Sequence, residues 1–65
     1  MTNEQAKQAL QNRTPIIYRG IEYAYISAII YRYDDKGRFL VSAELRDKKA
    51  NSITIALLEQ VQELK

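Results

Sequence analysis

Ile21 to Tyr33, IEYAYISAIIYRY, settles most of the architecture of this chain. It is built from β-branched and aromatic residues, which suit a pleated and half-buried surface. A strand sends alternate side chains to opposite faces. The odd positions then carry Ile21, Tyr23, Tyr25, Ser27, Ile29, Tyr31 and Tyr33, and the even positions carry Glu22, Ala24, Ile26, Ala28, Ile30 and Arg32. The pattern predicts one long strand with an aliphatic row on one side and a tyrosine stripe on the other.

Downstream, Asp34-Asp35-Lys36-Gly37 reads as a hairpin loop, with Gly37 where a positive φ is expected. Two loops fit these residues, a three-residue turn with a bulge at Gly37 or a four-residue loop on a type I turn. They differ by one residue in register, and such a slip moves every side chain of the partner strand to the other face. The partner is Arg38 to Asp47, RFLVSAELRD. The four-residue loop sets Ile30 against Val41, Ala28 against Ala43 and Ile26 against Leu45, leaving the tyrosines beside Arg38, Ser42, Glu44 and Arg46. The three-residue loop joins the tyrosines to Phe39, Val41 and Leu45. The first separates the faces and is the expected register. Lys48 to Asn51 then reads as a second loop, and Ser52 to Ala56 as a short strand with Ile53 and Ile55 on its buried side. For LLEQVQELK two readings stay open: a two-turn helix on Leu57, Leu58, Val61 and Leu64, or one helical turn at Leu57 to Gln60 and a last strand from Val61 to Leu64.

Upstream, Ile16 to Tyr18 predicts a short strand that turns at Gly20 into the long one. Pro15 holds Thr14 away from helical dihedrals, so a helix over residues 2–13 ends by Asn12 or Arg13. Thr2 followed by Gln5 has the spacing of a capping box, and Met1 and Ala6 stand at the staple positions. The apolar stripe of Ala6, Ala9 and Leu10 is thin, so this helix needs a surface to lie on.

A chain of 65 residues reads as one domain, residues 1–65, with a β-rich unit over 15–64 behind the helix. It has no cysteine and no histidine. That removes disulfides, zinc fingers, thiol nucleophiles and Ser-His-Asp chemistry. With glycine only at positions 20 and 37, no nucleotide-cradling loop is available. The expectation is a protein that is not an enzyme, with no cofactor, no metal and no small-molecule substrate. MTNEQAKQAL lacks the pattern of a signal peptide, and no apolar run is long enough for a membrane span. A cytoplasmic location is expected. The formal net charge of +2 permits contact with nucleic acid without arguing for it.

The order of elements, carried by IIYRGIEYAYISAI, AELRDKKANSITIA and LLEQV, resembles the SH3-like and Sm-like small barrels, and with its leading helix also looks like the Sm-like bacterial RNA chaperones. The resemblance implies a mainly β, α+β fold: an N-terminal helix, a strongly curved antiparallel sheet and a short C-terminal helical turn. The segments IIYRGIEYAYISAIIYR and SAELRDKKANSITIA also resemble short proteins of phages and conjugative elements of Gram-positive bacteria. That likeness implies a mobile-element accessory protein and gives no activity.

The candidate binding residues are Tyr23, Tyr25, Tyr31, Tyr33, Arg38 and Arg46. Tyr and Arg are enriched at the anchors of protein interfaces, which points to a protein partner or a homo-oligomer. The competing use is stacking of single-stranded DNA or RNA bases, with Arg32, Arg38 and Arg46 on phosphates. The plain use is structural, with the helix laid across this face and the hydroxyls reaching water. Glu44 on the same face argues against a phosphate track. Arg46, Lys48 and Lys49 form a loop cluster interrupted by Asp47, which reads as solvated charge. Asp34 and Asp35 could hold a cation or act as acid and base. Their place at a loop favours turn hydrogen bonds.

Overall fold

The computed structural model describes residues 1–49 and 52–64. Helix α1 (Asn3–Asn12) is followed by strands β1 (Ile16–Tyr18), β2 (Ile21–Tyr23), β3 (Tyr25–Tyr33), β4 (Phe39–Arg46) and β5 (Ile53–Leu57), a 3-10 turn (Leu58–Gln60) and β6 (Val61–Glu63). Thr2 starts the helix as its sequence predicts. The Gln5 amide donates to the Thr2 hydroxyl at 3.1 Å, and the Thr2 amide donates to Gln5 Oε1 at 2.8 Å, which satisfies two amides that the first turn leaves unpaired. The helix stops at Arg13, left-handed at φ 53°, whose amide donates to the Ala9 carbonyl.

The strands form two antiparallel three-stranded sheets, ordered β2-β1-β6 and β3-β4-β5. Arg19 and Gly20, at φ 53° and 75°, make the tight turn between β1 and β2, with the handedness that matches strand twist. The expected long strand is therefore two, divided at Ala24, whose amide still donates to the Arg46 carbonyl at 2.8 Å. That bond ties the end of β4 to the junction of the two sheets. Neither sheet closes on itself. At the C-terminal end the second of the two open readings is the one observed, a single helical turn followed by a strand.

The core lies between α1 and the two sheets: Ala6 and Ala9 from the helix, then Ile16, Tyr23, Ile26, Ala43, Leu45, Ala56, Leu58 and Val61. Small residues on the helix and at Ala43 and Ala56 let backbones approach, while Ile16, Ile26, Leu45 and Val61 fill the remaining space. Each of these large side chains contributes about 1.5–3 kcal/mol by leaving water. For a domain of this size that is a large part of the net stability.

The register between β3 and β4 corrects the expected one. From Tyr33 to Ala28 the pairs are Tyr33 with Phe39, Tyr31 with Val41, Ile29 with Ala43 and Ala28 with Glu44, which is the register of the three-residue loop. Past Ser27 the pairs are Ile26 with Leu45 and Tyr25 with Arg46, one residue different. A β-bulge at Ser27 joins the two registers. It inserts one unpaired residue, so the side of β3 that faces the core changes there from the odd positions to Ile26. Ser27 is held by its hydroxyl, which donates to Glu44 Oε1 at 2.6 Å. The strand bends without a glycine.

β5 is also turned over relative to its reading. Ile53 and Ile55 are 47% and 48% exposed, and Ala56 is the buried residue of the strand. The Asp47 amide donates to the Ser52 carbonyl at 3.2 Å across the second hairpin, which sets Leu45 against Thr54 and Ala43 against Ala56. The core face of β4 thus continues into Thr54 and Ala56. Of the predicted loop, Ala50 and Asn51 lie outside the described residues.

Candidate association surface

β5 ends at Leu57, opposite Ser42, whereas β4 runs on to Phe39. Beyond Ser42 the β3–β4 hairpin is therefore a two-stranded ribbon, and it carries three rings on one face. Tyr31 is 49%, Tyr33 72% and Phe39 55% exposed. Tyr31 stacks on Phe39 with centroids 5.9 Å apart and planes 11° from parallel, and Tyr33 lies tilted on the same ring at 5.4 Å. Such pairs add about 0.5–1.5 kcal/mol beyond area burial, so the three rings order one another. The Tyr31 hydroxyl donates to Asn3 Oδ1 at 2.9 Å, which ties the root of the ribbon to the first turn of α1.

The loop that ends the ribbon is ordered by Asp34. Its carboxylate accepts from the Arg38 amide at 2.8 Å, the Lys36 amide at 2.9 Å and Arg38 Nε at 2.9 Å. The Gly37 amide donates to the Asp34 carbonyl, the Asp34 amide to the Arg38 carbonyl, and Gly37 sits at φ 80°. The adjacent acids are thus a turn feature. The Arg38 amide, chiefly, with the Arg38 side chain and the Lys36 amide, lowers the pKa of Asp34 below the ordinary carboxylate value, against a smaller upward push from desolvation. A lowered folded-state pKa means stability that is present above the unfolded value and lost as pH falls through the folded one. Asp34→Asn is expected to lower the melting temperature at neutral pH, and the gap from the native protein should close in strong acid, below Asp34's own pKa. Thermal melts across a pH series check this, and a gap that stays constant into strong acid would contradict it.

The six residues picked out in sequence do not form one surface. Tyr23 is a core residue, 8% exposed, its hydroxyl within 3.5 Å of Thr54 Oγ1. Tyr25 lies on the sheet face away from Tyr31 and Tyr33, paired with Arg46 and covered by the Arg13 guanidinium at 5.1 Å from its ring centre. Tyr31 and Tyr33 share their face with Phe39 and Val41. Arg38 is bound to Asp34 at the tip. Arg46 is half-buried beside Tyr25, its Nε sealed from water with no acceptor among the described residues. The bulge is the physical reason for this division.

Phe39 is the member of the aromatic cluster that sequence reasoning left out. Its signal was the loop: an Asp three residues before a Gly with positive φ closes a three-residue hairpin through side-chain to backbone hydrogen bonds. That choice alone places Phe39 beside Tyr33.

A notch of about 300 Å³ adjoins the rings, bounded by Met1 and Asn3, by Phe39 and Val41, and by Leu57 and Leu58. It occupies the place a longer β5 would take. Arg38 bonds toward β3 through its carbonyl, and antiparallel bonding alternates along a strand. The main-chain groups of Phe39 therefore point to the side of β4 that β5 leaves uncovered. Among the described residues no group of three His, Cys, Asp or Glu side chains could hold a metal ion, and no helix is long and apolar enough to cross a membrane.

Comparison of the chain with protein-family models, curated proteins and solved structures finds no match.

Proposed function

We propose that this chain is a non-catalytic association module whose working surface is the aromatic face of the β3–β4 ribbon together with the adjoining notch, and that the occupant is a protein segment. The observation that carries this reading is the set of three neighbouring rings, Tyr31, Tyr33 and Phe39, each about half exposed or more on a ribbon that no third strand supports. Aromatic clusters of this kind anchor protein interfaces. The main-chain groups of Phe39, beyond the last partner that β5 offers, give an extended segment an edge on which to add. Charge supports a protein over a nucleic acid. Arg38 is engaged by Asp34, Arg32 lies on the opposite face from the rings, and Asp35 stands exposed at the tip. The connectivity, in which β2 and β3 pass from one sheet to the other through Ala24, supports an open SH3-like barrel as the fold. The likeness of IIYRGIEYAYISAIIYR to mobile-element proteins supports an accessory role of that kind.

A photo-crosslinking residue tests the surface. Benzoylphenylalanine in place of Phe39, irradiated in the native cells, should give a discrete adduct that resists nuclease and disappears when Tyr33→Ser is added. Loss of one anchoring ring typically costs about 2 kcal/mol, or thirtyfold in affinity. The same residue at Arg19, on the far turn, serves as the control. A nuclease-sensitive adduct would move the assignment to single-stranded nucleic acid. Equal labelling at both positions would remove the surface.

A further inference from the structure

We propose that β5 is a second interface, independent of the aromatic ribbon, and that its occupant is the β5 strand of another copy of this chain, paired antiparallel about a two-fold axis at Ile55.

A sheet edge exposes a row of unpaired amides and carbonyls, and proteins guard such edges with charge, proline, bulges or brevity. The other three edge strands are guarded. β2 carries Glu22, reached by the Lys48 ammonium at 2.9 Å. β6 has three residues and includes Glu63. β3 carries Arg32 and the Ser27 bulge. β5, ITIAL, has no charge and no proline, and its pairing with β4 runs without a register shift.

The hydrogen-bond parity of this edge suits self-pairing. The Asp47 amide bonds to the Ser52 carbonyl, so in β5 it is Ser52, Thr54 and Ala56 that direct their main-chain groups to β4. Ile53, Ile55 and Leu57 direct theirs outward. An antiparallel two-fold at Ile55 sets Ile55 against its own copy and Ile53 against Leu57 of the other chain. All three outward-bonding residues then find partners, for about six new hydrogen bonds.

The side chains agree with the backbone. Ile53 and Ile55, 47% and 48% exposed, stand on the same face as Leu57, so pairing brings apolar side chains together along the seam. The nearest like charges across the axis, Glu44 of each copy, are separated by two intervening strands, about 14 Å at ordinary strand spacing. That exceeds the screening length in physiological salt. The product is a six-stranded sheet, β3-β4-β5 continued by the same three strands of the second copy.

Sedimentation and hydrogen exchange of the native protein test this over a concentration series reaching about 1 mM, where a weak edge contact is populated. The expected mass doubles. As it does, the amides of Ile53, Ile55 and Leu57 gain protection, while those of Thr54 and Ala56 are protected throughout. Ile55→Lys and Ile55→Glu should each be monomeric, since like charges then meet on the axis, and an equimolar mixture should restore the dimer. A constant monomer mass at every concentration overturns the proposal. So does a dimer that leaves those three amides unprotected, which would place self-association on the aromatic ribbon instead, and so does a dimer that survives Ile55→Lys.

Discussion

Leu45→Ala is expected to lower the melting temperature by about 12–24 °C, as roughly 3 kcal/mol is lost and a domain this small moves about 4–8 °C per kcal/mol. Leu45 has no exposed surface and faces Ile26, itself 1% exposed, across the β3–β4 ladder. It lies in the core cluster that joins the helix to both sheets. Truncation removes the side chain's transfer free energy and leaves a cavity that neighbours anchored in strands cannot close. With only about 3–5 kcal/mol available to a domain of this size, most of the margin disappears. Leu40, half-buried on the ribbon, should cost less on the same change. Thermal melts followed by circular dichroism give both numbers. A Leu45→Ala variant that loses less than about 0.5 kcal/mol, the usual ceiling for surface changes, would mean that the described core does not carry the fold.

Ala6→Glu is the second large effect, and it tests the docking of the helix. Ala6 has no exposed surface, and together with Ala9 it makes up the fully buried part of α1. A carboxylate there has neither room nor partner, and an unpaired buried charge costs about 3–5 kcal/mol. The protein escapes that cost by releasing the helix. A ten-residue segment freed from its sheet does not stay helical in water, so the helical signal falls with it. Ile26 on β3, the strand against which α1 packs, then loses its cover, and the variant is mostly unfolded at room temperature. Lys7→Glu, one residue along on the exposed side, should change stability by less than about 0.5 kcal/mol. If Ala6→Glu keeps the native melting point, α1 is not packed where it is described.

Local signals in the sequence carried much of this architecture. Thr2 and Gln5 mark the helix start through paired hydrogen bonds between neighbours. Pro15 marks its limit, Gly20 the first turn, and the second of two readings of LLEQVQELK gives the 3-10 turn and last strand. What local signals could not supply was parity over distance. The bulge falls on a serine with unremarkable flanks, and its cause, the fit of Ile26 onto Leu45 and Ile29 onto Ala43, exists only in the paired sheet. Each of the two loop registers is therefore right over part of the ladder. β5 was turned over for a related reason. Isoleucine outranks threonine and alanine in hydrophobicity, yet the space beside Ala43 takes Ala56, and Ile53 and Ile55 remain outside.

The same parity governs the candidate surface. Four tyrosines at odd positions look like one stripe only on an unbroken strand. The bulge sends Tyr31 and Tyr33 to the side of Phe39 and leaves Tyr25 with Arg46 on the other. The sequence contained every ring of the cluster, and it lacked the one backbone irregularity that assembles them.

Alternation along β3 changes at Ser27, and cross-strand Hα–Hα contacts by NMR read that change residue by residue. Directly opposed residues that do not exchange hydrogen bonds bring their Cα atoms to about 4.5 Å. We expect strong contacts between Tyr31 and Val41 and between Ile29 and Ala43 on one side of the bulge, and between Ile26 and Leu45 on the other. Contacts of Tyr31 with Leu40 and of Ala28 with Ala43 would instead mean one register throughout, a single tyrosine face and no Tyr31–Tyr33–Phe39 cluster.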